Sequence, residues 1–173
     1  MKKHNIYIGC LFILISLLSC EKVFDDTELS MKRTNYDGTE LRTDGYYFYQ
    51  KADKFHPLFI SRNGVFIRGY TYELSSADQV EESFKNGVFY ENIKNDKTRW
   101  GVFNITEKAI EFEGWAPNGG LKHTTSIEYG EIIDDTTFCI YKEHIYGNDE
   151  ERNSLYHFKQ FSPKPDSTNS FIK

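Results

Sequence analysis

Residues 100–116 read Trp-Gly-Val-Phe-Asn-Ile-Thr-Glu-Lys-Ala-Ile-Glu-Phe-Glu-Gly-Trp-Ala, and this stretch decides the fold. The run 100–105 is aromatic and β-branched, and Thr106-Glu107-Lys108 makes a turn. In the run 109–116, Ile110, Phe112 and Gly114 alternate with Glu111, Glu113 and Trp115. Side chains on a strand point to opposite faces in turn, so this period of two predicts one buried face and one wet face. Two such runs joined by a tight turn pair antiparallel.

The same pattern extends outward in both directions. Upstream, residues 45–50 (Gly-Tyr-Tyr-Phe-Tyr-Gln) form a strand, and runs 57–62 and 65–74 flank Asn63-Gly64. That dipeptide suits a type I′ hairpin, whose two central residues need positive φ. A helical interlude follows: Ser76 caps it with Gln79 three residues on, Val80 and Phe84 share one face, and Gly87 ends it. Downstream, Pro117-Asn118-Gly119-Gly120 reads as a loop. Runs 123–133 and 136–146 make a hairpin around Asp134-Asp135, residues 147–152 turn again, and 154–161 closes the domain.

About eight sequential strands with short connections predict an all-β fold with one short helix. A sheet that is wet on one face buries the other by curling, so the expectation is an antiparallel up-and-down β-barrel, with a β-sandwich as the alternative. The domain is read as residues 41–161. Charged, aperiodic residues 20–40 read as a flexible tether, and the Pro/Ser-rich stretch 162–173 as a disordered tail.

The first residues are of another kind. Lys2 and Lys3 precede an apolar run from Ile6 to Leu18, which at about 13 residues is short of the ~20 that span a bilayer. Leu17-Leu18-Ser19-Cys20 then resembles the lipobox of bacterial lipoproteins. The resemblance implies that residues 1–19 are a signal peptide, that Cys20 carries diacylglycerol and a further acyl chain, and that the membrane partner is reached through this anchor. Glu21 in place of the usual inner-membrane retention Asp implies the outer membrane, with the periplasmic or cell-surface side open.

Removal of residues 1–19 would leave 154 residues and move the formal charge from −5 to −7. Such a chain has no electrostatic reason to bind nucleic acid. Cys139, within Thr-Phe-Cys-Ile-Tyr, reads as a buried small apolar residue, since Cys10 and Cys20 leave it no intramolecular disulfide partner. His56, His123, His144 and His157 form no metal-binding spacing, so no metal or cofactor is expected. There is no nucleophile motif. Glu111 and Glu113 share a strand face at ~7 Å, but acids alternating with an apolar face are the usual dress of a solvated strand, so no catalytic residue is assigned.

Strand number and order resemble lipocalin-like barrels, with Gly45-Tyr46-Tyr47 echoing that family's Gly-x-Trp. The stretch from Trp100 and the ending Tyr156-His-Phe-Lys-Gln-Phe-Ser-Pro-Lys-Pro-Asp are similar to those of small bacterial lipoproteins of unassigned activity with such barrels. With 14 Phe and 12 Tyr in the chain, the aromatics are the leading site candidates. Tyr46, Phe48, Phe66, Tyr70, Tyr72 and Trp100 are read as lining a barrel mouth for a small apolar or amphipathic ligand. The other readings are that these rings fill the core, and that the domain is a non-catalytic interaction module for a protein partner not identified by the sequence.

Overall fold

Most of the described strands pair with their neighbour in sequence, the strand at 65–68 pairs with that at 100–106 across a helical segment, and the last strand pairs with the first. The computed structural model describes residues 27–116 and 123–173; the export segment, Cys20 and the loop read at 117–120 lie outside the described residues. The strands are β1 (Gly45–Lys51), β2 (Lys54–Ile60), β3 (Val65–Arg68), the two-residue β4 (Tyr72–Glu73), β5 (Trp100–Thr106), β6 (Ala109–Ala116), β7 (Thr124–Asp134), β8 (Thr137–Ile145) and β9 (Asn148–Gln160). Between β4 and β5 lie helices α1 (Ala77–Lys85) and α2 (Val88–Ile93). All pairings are antiparallel, and β1 pairs with both β2 and β9. Eight strands thus close into an up-and-down barrel, with β4 as an extra strand on β2.

Alternation on the strands builds two apolar layers. Tyr47, Leu58, Phe66, Phe103, Phe112, Phe138, Ile140 and Tyr156 fill the barrel. Gly101 makes room: a Cβ there would meet the Phe66 ring at 2.3 Å. On the outer face Tyr46, Phe59, Ile67, Trp100 and Val102 pack under Val80 and Phe84 of α1 and Phe89 and Ile93 of α2. Val80 and Phe84 share the buried face as their spacing predicts, and Gly87 (φ 81°) ends α1. The second helix follows at once.

Several local expectations are corrected. Ser76 Oγ donates to the Glu73 carbonyl and caps nothing. At Asn63-Gly64 only Gly64 has positive φ, and the Ser61 N–H bonds to the Val65 carbonyl, a three-residue loop rather than type I′. The glycine has a second cause, since a Cβ there would lie 2.0 Å from the Thr34 carbonyl oxygen. Two successive positive φ values, the type I′ requirement, occur instead at Tyr146 (53°) and Gly147 (76°), because β9 begins at Asn148, within the stretch read as a turn. Cys139 is half-buried on the outer face, with its Sγ near Asn153, not in the core.

Residues 27–40 do not behave as a tether, nor 162–173 as a tail. The first segment runs down the outside of β6 and turns under the barrel, where Tyr36 and Leu41 are buried and seal one end. Its anchors are the Tyr36 N–H on the Arg62 carbonyl and the Arg42 N–H on the Asp135 carbonyl. The second crosses the outer wall: Lys164 Nζ donates to the Ile60 carbonyl, Tyr90 Oη to the Thr168 carbonyl, and Ile172 enters the outer core. Both segments carry isolated apolar side chains with no period of their own. Their placement comes from the barrel surface they cover, which a local reading cannot see.

Candidate functional site

The six rings read as one ligand wall are split by the fold. Tyr46 and Trp100 are buried outside the barrel beneath the helices; Tyr46 meets Phe59 at a tilt and Phe84 and Phe161 edge-on, and the Trp100 indole donates to the Ile93 carbonyl. Phe48, Tyr70 and Tyr72 pack against that same outer cluster. Only Phe66 lies inside, edge-on to Phe112 at 5.3 Å. The cause is strand parity together with the helix layer: both faces of β1, β2, β3 and β5 are apolar, so the sequence alone gives no sign of which ring points inward.

The barrel interior is packed. Rings run in contact from Phe103 through Phe112 and Phe138 to Tyr156, with centroid separations of 6.1, 5.6 and 4.8 Å. Beyond them the end opposite Tyr36 and Leu41 is occupied by charge. Arg68 forks onto Glu128 at 3.1 and 2.5 Å, and Arg152 bonds Glu143 and Glu150. Burial pushes Arg68 down, but the Glu128 carboxylate outweighs it and keeps the guanidinium charged. His56, on the same rim, is held below its usual range by burial and then by Arg68 and Lys51. The Arg68 Nε has no protein partner among the described residues, and beside it lies a void of about 20 Å³ lined by Thr98, Ser126 and Glu128. That is room for one water and not for a ligand.

Space of ligand size lies outside the wall. A hollow of about 550 Å³ at residues 160–164 is walled by little more than that segment and Asp44. The better built one, of about 530 Å³, runs between the two strap segments. Its floor is Val102 of β5 and Trp115 of β6; Leu29 and Met31 form one wall, Phe171 and Ile172 the other. This is the face that the alternation of residues 109–116 marks as wet. It is covered because Glu113 binds the first strap: Ser30 N–H and Oγ donate to Oε1 at 2.9 and 3.0 Å, and the Met31 N–H to Oε2 at 2.5 Å. With three donors on its oxygens a carboxylate can be buried, and Glu113 is 1 % exposed. The Trp115 indole donates to the Thr27 carbonyl at 2.7 Å, and the Thr27 N–H to that of His123 at 3.0 Å.

Glu113 is thus the acceptor that holds the first strap on β6. Glu143 faces the barrel end, while His144 binds Asp149 at 2.7 Å. Among the described residues no three His, Cys, Asp or Glu side chains are grouped to hold a metal, and no helix is long and apolar enough to cross a membrane. No protein-family model, curated protein or solved structure matches the chain. The groove was missed in the sequence because its walls are the two segments read as unstructured. Trp115 at an acidic strand position was the one available signal.

Proposed function

We propose that this chain is a lipid-anchored, non-catalytic binding module of the outer membrane whose barrel is a scaffold and whose binding surface is external. The observation that carries the reading is the filled interior beside a groove of about 530 Å³ on the outer wall. Sites for small molecules are concave, largely apolar and of this size. The strap that forms one wall also leads back toward Cys20, the residue read as acylated, so the groove sits near the anchor along the chain. A single acyl chain holds a protein only marginally, and two or more hold it stably.

A photoreactive alkyl diazirine, incubated with the protein and mapped by peptide mass spectrometry, tests the external reading. Adducts are expected on residues 27–33, 115 and 171–173. Adducts concentrated on Phe66, Phe112 or Phe138 would return the ligand to the interior. For the anchor, a Cys20→Ser strain is expected to shed the protein from the membrane fraction; unchanged retention contradicts lipidation.

A second reading, docking on a protein partner, is favoured by Ile133, Tyr141 and Leu155 on β7–β9, which are 55, 51 and 39 % exposed. Their outward strands carry no covering segment among the described residues.

A further inference from the structure

The first strap is fixed to the barrel from Thr27 onward. The Thr27 carbonyl accepts from the Trp115 indole at 2.7 Å, and its N–H donates to the His123 carbonyl at 3.0 Å. A few residues on, the Ser30 and Met31 amides hold Glu113, and Leu29 and Met31 pack against the outer core. Thr27 is thereby set at one end of the barrel, where β6 and β7 make their last pairs, Trp115 with Thr125 and Ala116 with Thr124. Antiparallel register brings the β8–β9 turn at Tyr146-Gly147 and the β1–β2 turn at Ala52-Asp53 to this same end. It is also the end occupied by Arg68, Glu128, Glu143 and Arg152. From Thr27 the strap leads away from it, to the plug of Tyr36 and Leu41.

Six residues, 21–26, separate Thr27 from Cys20. Each step along a chain advances at most ~3.6 Å, so the two residues lie within about 25 Å of each other. Strand β6, eight residues long, measures about 27 Å. Tilted as barrel strands are, it still rises about 20 Å, and the β5–β6 turn and the plug add to that height. Standing the barrel on its plug would stretch the link to Cys20 to its limit, whereas standing it on the Thr27 end leaves length to spare. We infer that the barrel meets the lipid headgroup layer by its charged end, with the β8–β9 hairpin tip toward the bilayer and the Tyr36 plug facing away from it. Tyr146, 54 % exposed at that tip, is a side chain suited to a lipid–water boundary, with an apolar ring and a polar hydroxyl. This orientation rests on the acylation of Cys20 proposed above and adds which surface the anchor turns to lipid. It leaves the side walls of the barrel open to partners and its charged end closed to them.

Energy transfer to a lipid dye reads the orientation. In a Cys139→Ser background the acylated chain carries one donor dye, at Asn148→Cys beside the β8–β9 turn or at Lys108→Cys on the β5–β6 turn. Each protein, its fold checked by near-ultraviolet circular dichroism, is added to phosphatidylcholine vesicles that contain rhodamine-labelled lipid. The transfer rate from position 148 is expected to exceed that from position 108 at least threefold. Equal rates, or a faster rate from position 108, in vesicle-bound protein overturn the orientation and leave the anchor standing. Twelve Gly/Ser residues inserted between Asp26 and Thr27 are expected to bring the two rates together. A difference that survives the insertion overturns the short link as its cause. The chain made without residues 1–19 and with Cys20→Ser is expected to stay off the vesicles. Binding equal to that of the acylated chain overturns the anchor and the orientation together.

Discussion

The inside and the outside of this barrel are held by different means. The interior is dense and contiguous, ring on ring from Phe103 to Tyr156, and its residues come from strands that are neighbours in sequence. The outer wall over β5 and β6 is covered by two strands of irregular chain, joined to it by a few polar bonds such as those of Glu113. A closed barrel with a packed lumen has nothing left to open. The segments on its wall, one held by the Glu113 carboxylate and the other by side-chain bonds such as that of Lys164 to the Ile60 carbonyl, are where a surface can be shaped for binding.

Substitutions on either side of the wall test that contrast, and the largest effect should come from inside. Phe112→Ala removes a ring touching Phe66, Phe103 and Phe138 and is expected to cost about 3–5 kcal/mol in urea unfolding. A cost near that of a surface change would mean the lumen is not packed. Next, Glu128→Gln strips Arg68 of its carboxylate. An unpaired buried charge costs about 3–5 kcal/mol, and partial exposure of Arg68 should reduce this to about 2 kcal/mol. Arg68→Met combined with Glu128→Leu should recover most of the loss; additive losses would show that the pair is not coupled.

The outer wall should respond more locally. Glu113→Gln keeps the shape but weakens three charge-assisted bonds, for an expected loss of about 1–2 kcal/mol. Hydrogen exchange should rise at the Ser30 and Met31 amides while barrel amides stay protected. Uniform loss of protection would mean that strap and barrel unfold as one unit. The smallest effect is in pH. Glu81 on α1 binds Tyr46 at 2.5 Å and Lys159, tying helix to barrel. Burial raises its carboxyl, but the Lys159 and Tyr46 bonds prevail and hold it below the ordinary 4.5. A carboxyl depressed in the folded state stabilises at pH above its unfolded value, and that contribution fades as pH falls through the folded one. Glu81→Gln should therefore flatten the acid limb of stability below about pH 4.5 and leave its slope at neutral pH unchanged. An identical acid limb in both proteins would remove Glu81 from this role.

Much of the barrel could be read from the chain, and the groove could not. Ile110, Phe112 and Gly114 alternate as an inward face must, and the neighbouring strands are joined by turns too short for anything but antiparallel pairing. Glu111, Glu113 and Trp115 carry the same alternation, yet two of them are buried. Nothing near Glu113 in sequence supplies its donors, which come from 82 and 83 residues away. The six aromatic candidates failed to converge for a related reason. Tyr46, Phe48 and Trp100 stand on strands with two apolar faces, so period alone could not tell lumen from helix layer.

Local periodicity and short connections were enough to give the run of strands and their antiparallel pairing, while barrel and sandwich both stayed open until the pairing of β9 with β1 decided between them. Which rings fill the lumen, the placement of residues 27–40 and 162–173 against the wall and the groove between them came from the folded chain alone. Those outcomes depend on surfaces that exist only after the barrel has closed, and on contacts between residues far apart in the chain.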